Sequence, residues 1–252
     1  PASASRAAAS SADAFPAEWL FRRKPRMKQA PRKYTFPGGL QGLLEALAEG
    51  APFETRVGVP VQSLGRTGAG FAVTTAVGEL VCRQVVLAVP VDAAASLLAP
   101  AYPDLARPLA AYPMSSSEAL GVALVADEVK LPAVAGLIGA DDDFFSVVTR
   151  DPVPHAELRG FTFHFRPGRL DREGKLARAA RVLGVAPSDF IHVRESLNRL
   201  PAPGVDHPRR MAELDARLAG EPLALVGNYL NGLSIGDCAE RAVSETDRLL
   251  AQ

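Results

Sequence analysis

Cysteine, tryptophan and methionine are scarce in this chain, with two, one and three respectively in 252 residues. Cys82 and Cys238 are too few for a disulfide framework or a metal-ligand set, so a reducing compartment is the simpler context. Charge of either sign is also not in excess: 28 Lys and Arg balance 28 Asp and Glu. That excludes the basic surplus needed to hold a phosphate backbone, and no nucleic-acid partner is expected. No apolar run approaches the length of a transmembrane helix, and Pro1 to Asp13 is Ala/Ser-rich without the basic start and apolar centre of a signal peptide. A cytoplasmic setting is the expectation. The chain also starts without Met, which reads as a trimmed or partial chain. His155, His164, His192 and His207 are scattered, with no paired metal-ligand spacing and no Ser or Cys nucleophile signature near them, so all four read as structural and no metal site is assigned. No residue reads as a catalytic base. Asp141-Asp142-Asp143 reads as a solvated turn.

Apolar residues make up 48% of the sequence, enough to build one large domain or two small ones. Residues 1–35 have the composition of a linker, anchored only by Trp19, Leu20 and Phe21, with a basic run from Arg22 to Lys33 that suits contact with anionic lipid or a substrate carboxylate. Leu40, Leu43, Leu44 and Leu47 then recur at helical spacing, and Gly50 stands at the stop position. Val59–Leu64, Phe71–Thr75 and Glu79–Cys82, separated by turns at Arg66–Gly70 and Val77-Gly78, predict an antiparallel meander. Val85–Val89 is an unbroken apolar run of the kind expected for a parallel strand covered on both faces, followed by a helix over Val91–Leu98.

Strands are predicted at Ala119–Ala126, Gly136–Gly139, Phe144–Val148, Gly160–Phe165 and Phe190–Leu197, with helices at Asp171–Leu183 and Pro208–Leu218. Alternation puts Phe161, Phe163 and Phe165 on one face of their strand and Thr162 and His164 on the other. The ring face suits either ordinary core packing or the floor of a flat apolar pocket. Near the end, Leu223–Val226 is a strand stopped by Gly227-Asn228. A loop with Gly232 and Gly236 follows, then a helix opening at about Asp237, capped by that residue with Glu240 closing a capping box. Ala239, Ala242, Val243, Thr246, Leu249 and Leu250 form its expected core-facing stripe. A helix N-terminus behind glycines is a site where an anion can approach unpaired backbone N–H groups.

GNYLNGLSIGDCAERA, residues 227–242, resembles the C-terminal flavin-binding segment of protoporphyrinogen oxidases within the flavin amine oxidase group. TFPGGLQGLLEAL, residues 35–47, is similar to the GG-x-Q-x-L segment of that family. The order PVxxL, hairpin, VVLAVP from Pro60 to Pro90 follows the family's pattern, and PAPGVDH, residues 201–207, resembles its PQYxxGH loop while departing at Ala202, Pro203 and Asp206. The family's opening G-x-G-x-x-G stretch, with its acidic residue about twenty positions on, is absent from these 252 residues.

The resemblance implies an α/β and α+β chain: a partial FAD-binding, Rossmann-like domain from 36–100 and 220–252, and a substrate domain with a mixed or antiparallel sheet from 101–219. It implies an FAD-dependent oxidoreductase in which the flavin takes hydride from a C–H bond and oxygen reoxidises it, consistent with the lack of a protein base. Cofactor-facing positions carried over are Val61, Gly227, Asn228, Leu233, Ser234 and Ile235. The implied substrate is a small molecule, flat and tetrapyrrole-like as in heme and porphyrin biosynthesis. Alternatives are an amine oxidase acting on another substrate, or a non-catalytic partner subunit lacking the dinucleotide half. Expected partners are that N-terminal half or a second copy, and a peripheral membrane surface.

Overall fold

The structure is a computed structural model and describes residues 39–151 and 154–252. The linker and basic run read for residues 1–35, and the Phe36-Pro37-Gly38 approach to the first helix, lie outside the described residues. Helix α1 (Gln41–Glu49) ends at Gly50 as its leucine spacing predicts, yet none of its residues is buried: Leu40, Leu44 and Leu47 are all exposed. The meander follows as β1 (Val61–Thr67), β2 (Gly70–Thr75) and β3 (Gly78–Cys82), antiparallel in the order β1-β2-β3.

β4 (Val85–Leu87) leads into α2 (Val91–Leu98), and α3 (Pro103–Ala110) comes next. α3 is too short and too proline-rich, with Pro103 opening it and Pro108 inside, to announce itself by period. Far along the chain, β10 (Leu223–Leu225) pairs in parallel with β4, Leu223 beside Val85 and Leu225 beside Leu87. One core joins these elements. Leu64, Phe71, Leu87, Leu98, Leu105, Leu109, Leu223, Leu225 and Tyr229 pack with Leu214 and Leu218 of α5 (His207–Leu218). The expectation that the Val85–Val89 strand is covered on both faces is only half met. β4 has β10 on one edge and no strand on the other among the described residues, and Val86 is 51% exposed.

The second core lies on a five-stranded sheet, ordered β6-β7-β8-β5-β9. Its members are β5 (Met114–Val125), β6 (Gly136–Ile138), β7 (Phe144–Thr149), β8 (Leu158–Phe165) and β9 (His192–Pro201), all antiparallel. Phe161, Phe163 and Phe165 are fully buried with Leu120, Val122, Leu124 and Phe144 beneath α4 (Arg172–Leu183), so the aromatic stripe is core and not a pocket floor. α4 is stopped at each end by local chemistry. Asp171 accepts from Gly174 N–H, and Gly184 takes φ +72, a left-handed conformation that glycine adopts without a Cβ penalty. The aspartate triplet is not merely solvated: Asp142 accepts two hydrogen bonds from the Arg178 guanidinium and anchors the β6–β7 turn to α4.

The final helix, α6 (Ile235–Leu250), differs from expectation in start and in facing. Its N-cap is Ser234, three residues before Asp237, and the capping box is closed by Asp237 rather than Glu240. Of the predicted stripe only Leu249 is buried, at 5% exposure. Val243 is 62% and Leu250 77% exposed, while Arg241 and Glu245 are buried at 5% each. The reason lies in what the helix meets. β10 ends after three residues and turns carbonyls toward α6 that only donors can satisfy. Arg241 Nε donates to Leu225 O at 3.2 Å, and Arg248 donates to Leu218 O, Glu221 O and Leu223 O at 2.9, 3.0 and 2.5 Å. Glu245 lies 3.2 Å from Arg241 and 2.8 Å from Arg248, and Asp215 of α5 pairs with Arg241 at 2.8 Å. An ionic face together with Leu249 therefore docks the helix, while Ile235, Val243 and Leu250 are turned outward. Among the described residues, no helix is long and apolar enough to cross a membrane.

Candidate functional site

The segment from Val226 to Ile235 leaves the parallel strand β10 and enters the N-terminus of α6. It starts pinned to the sheet, Val226 N–H donating to Leu87 O at 3.0 Å, and folds at once into a turn in which Leu230 N–H donates to Gly227 O at 3.3 Å. In that turn the Tyr229 ring lies back over Gly227: a Cβ at position 227 would fall 2.6 Å from Tyr229 Cε1, so only glycine leaves room. Gly232 has φ +152, and a Cβ there would fall 2.3 Å from Asp237 Oδ2. Both glycines thus serve the loop's own packing.

At the helix start, Asp237 N–H donates to Ser234 Oγ at 3.0 Å, while Ser234 N–H and Oγ–H donate to Asp237 Oδ2 at 3.1 and 2.7 Å. Cys238 N–H finds Ser234 O. The preceding N–H groups, of Ile235 and Gly236, carry no hydrogen bond among the described residues, as the first turn of a helix dictates. Leu233 and Ile235, on either side of the cap, are exposed apolar side chains. The arrangement offers donors and the positive helix end beside two apolar side chains, which suits a ligand that is anionic in one part and apolar in another.

The loop is held from behind by residues on other elements. His207, first residue of α5, has Nε2 2.6 Å from Leu230 O and Nδ1 3.1 Å from the Tyr112 hydroxyl. A carbonyl can only accept, so Nε2 carries the hydrogen and Tyr112 donates to Nδ1. Tyr112 meets both His207 and Tyr229 edge to face, at 5.9 and 6.2 Å between centroids. The Tyr229 hydroxyl is buried without a partner among the described residues, and burial pushes its phenol up to about 12. Burial raises Tyr112 as well.

Gly227, Asn228, Leu233, Ser234 and Ile235 are therefore together in one loop. Val61 is not part of that constellation: it opens β1, 45% exposed and opposite Thr75, with no hydrogen bond or ring contact to the loop. Of the supporting residues only Tyr112 lies outside the quoted motifs; His207 closes PAPGVDH and Tyr229 and Arg241 lie within residues 227–242, yet those motifs do not reveal their bracing roles. Their signal is faint but present: a histidine closing the PGVDH turn, and charges at 241, 245 and 248, spaced as one helical face. Among the described residues, no group of three His, Cys, Asp or Glu is placed to hold a metal.

A short parallel strand pair packed under α6 stands beside an antiparallel sheet backed by its own helix, an arrangement shared with solved structures. The solved structures that share it include a protein from Exiguobacterium sp. 255-15 assigned as a protoporphyrinogen oxidase, with a TM-score of 0.69 at 20% identity, covering 85% of this chain and 51% of the other. A redesigned putrescine oxidase matches with a TM-score of 0.64 at 16% identity, over 85% and 53%. A CLA-producing fatty acid isomerase from P. acnes matches with a TM-score of 0.61 at 13% identity, again over 85% and 53%. The chain thus spans about half the length of the structures it matches. Residues 3–132, just over half of the chain, match the flavin containing amine oxidoreductase family, and the chain belongs to that family.

The family implies a flavin cofactor. The residues present fit one side of such a group: the Ile235 and Gly236 N–H groups and the helix end suit its anionic part, and Leu233 and Ile235 suit its ring. The phosphate-cradling glycine fingerprint is not among these residues.

Proposed function

We propose that this chain is the C-terminal part of an FAD-dependent oxidoreductase similar to protoporphyrinogen oxidase. The observation that carries the reading is the loop from Gly227 to Ile235, which runs from the end of a parallel strand into a capped helix N-terminus, where open sheets of this kind take their ligands. When bound, FAD supplies the redox chemistry, accepting hydride from a substrate C–H bond and passing electrons to oxygen. The chain's own residues hold and orient. Ser234 and Asp237 set the helix end, Gly227 and Asn228 form the turn before it, and His207 braces the turn through Leu230 O. Val61 lies on the meander and is the proposed adenine-side contact.

The dinucleotide half comes from another segment or chain. Among the described residues β4 has one edge without a strand and offers it for pairing, and the outward apolar residues of α6, Ile235, Val243 and Leu250, offer a packing face. The proposed substrate is flat and tetrapyrrole-like and lies on the five-stranded sheet, on the face opposite α4. A peripheral membrane surface would be met through the basic run of residues 22–33.

The test is the visible spectrum of the purified chain after incubation with FAD and removal of free cofactor. A retained flavin spectrum that is lost in Gly227→Leu supports the reading. A colourless protein, both alone and mixed with a G-x-G-x-x-G-bearing half from a relative, overturns it.

A further inference from the structure

The five-stranded sheet ends on β9, and β9 is bonded along one side only. Its register with β5 runs without a shift from Met114 opposite Pro201 to Ala123 opposite His192. Ala202 N–H donates to Pro113 O at one end of that ladder, and alternation along an antiparallel strand then turns the backbone groups of Val193, Glu195, Leu197 and Arg199 to the outer edge. Among the described residues, none of those N–H or C=O groups has a partner. Other strand edges of the molecule are short or interrupted: β6 and β4 have three residues each, and β1 carries a bulge between Val61 and Ser63. β9 has ten residues, no bulge, no lysine, and a proline only at its last position.

The side chains along that edge decide what fits it. Glu195, Leu197 and Arg199 share one face of β9, the face of the buried Leu120 that lies opposite Glu195. Glu195 pairs with Arg172 at 2.8 Å and lies 3.5 Å from Lys175, and Arg199 pairs with Asp92 at 2.7 Å. Leu197, between them, is 65% exposed. When a second β9 is laid antiparallel against this edge, few registers let the outward backbone groups bond to each other, and charge chooses among them. Setting Glu195 against Glu195, or Arg199 against Arg199, brings like charges together. Setting either residue against Leu197 leaves a charge facing an apolar side chain. The register that sets Glu195 against Arg199 places opposite charges on both sides of a two-fold axis and Leu197 against its own copy.

We propose that β9 is a self-association edge: two copies of this chain pair their β9 strands antiparallel about a two-fold axis at Leu197, joining two five-stranded sheets into one. Glu195 then meets the partner's Arg199, and the existing pairs with Arg172 and Asp92 extend into a row of alternating sign across the axis. An isologous contact of this kind closes on itself and stops at two copies. It goes beyond the proposed function and uses no residue of the loop from Gly227 to Ile235, so the two are decided separately.

The test follows the purified chain by sedimentation velocity over a range of concentrations, and the expected result is a monomer–dimer equilibrium. Leu197→Lys brings two ammonium groups together at the axis and weakens the dimer about tenfold, while circular dichroism stays that of the parent. Arg199→Gln removes two cross-strand pairs from each dimer and weakens it about fivefold. The register is read by cross-linking in a chain whose Cys82 and Cys238 are replaced by Ala. There, Leu197→Cys forms an intermolecular disulfide under mild oxidation, because residues directly opposite across paired strands lie within disulfide reach. Arg194→Cys, which lies opposite the partner's Leu200, does not. A monomer at every concentration, a dimer that Leu197→Lys leaves intact, or equal cross-linking at 194 and 197 overturns the proposal. So does displacement of the dimer by a G-x-G-x-x-G-bearing half from a relative, since the edge would then belong to that half.

Discussion

His207 Nε2 donates to the Leu230 carbonyl across 2.6 Å, tying the first residue of α5 to the loop that precedes α6. The same ring accepts from Tyr112, so one imidazole joins three segments that are distant in sequence. Replacing His207 by Ala leaves a buried carbonyl and a tyrosine hydroxyl without partners, at a cost of about 1–3 kcal/mol. His207→Gln, whose amide nitrogen can occupy the place of Nε2, should recover part of that loss. Urea unfolding of the two variants checks this, and equal destabilisation by Ala and Gln would show that the bond to Leu230 contributes nothing.

Gly227 is required by Tyr229. Gly227→Ala pushes a methyl group to 2.6 Å from the ring of a tyrosine that is 1% exposed, and overpacking of this kind costs about 1–3 kcal/mol. The second effect is local: the turn before α6 shifts, so flavin retention should fall by more than the loss of stability explains. The paired measurement is urea unfolding and bound-flavin absorbance, with Gly236→Ala as the control, since a Cβ there meets nothing closer than Ser234 Oγ at 3.6 Å.

Arg241 sits at the centre of the ionic face of α6. Arg241→Leu strips Glu245 of one of its two arginine partners in a buried setting and frees the Leu225 carbonyl, for an expected loss of about 3–5 kcal/mol. Arg241→Leu combined with Glu245→Leu removes charge from both sides and should cost much less than the two single losses added. A double-mutant cycle measures that coupling directly. Additive losses would mean that the pair is not coupled.

Acid should weaken the second sheet first. The Arg159 guanidinium holds the Asp151 carboxyl below its usual range, and Arg178 does the same for Asp142. Their folded pKa values lie below the unfolded ones, so the stability they contribute is complete above about pH 4, the unfolded value. It is lost as pH falls from there through the folded values. Melting temperature followed downward from neutral pH should drop below about pH 4, and Asp151→Asn should flatten part of that drop. A parent and variant with parallel pH profiles would remove the carboxylate from the account.

The strands of the meander and the second sheet are legible in order, although β5 starts earlier and β9 ends later than their spacing predicts; where a strand alternates a solvent face and a core face, as β8 does, its facing is legible too. Phe161, Phe163 and Phe165 are an example: period two assigns them one face, and the burial under α4 follows. α6 shows where that logic stops. Of its buried residues, Arg241, Glu245 and Leu249, only the last is apolar, since the surface it meets is largely a row of carbonyls and not a hydrophobic face. The same holds for the candidate site. Gly227 and Ser234 stand out as punctuation in the sequence, whereas His207 and Tyr112 meet the loop only because the fold brings the start of α5 and the segment after α3 against it.

What the sequence determined by itself is the run of elements apart from α3, the family likeness carried by residues 227–242, and the chemical character of the loop, because these depend on near neighbours in the chain. What only the tertiary structure decided is which side of each element faces inward, which histidine becomes a strut, and that Arg159, Arg172 and Arg178 find acids across the second sheet and its helix. Those outcomes depend on contacts between separate elements, from His207 against Leu230 to the pairing of β10 with β4, and such pairings are set by the packing of whole elements, which local spacing does not encode.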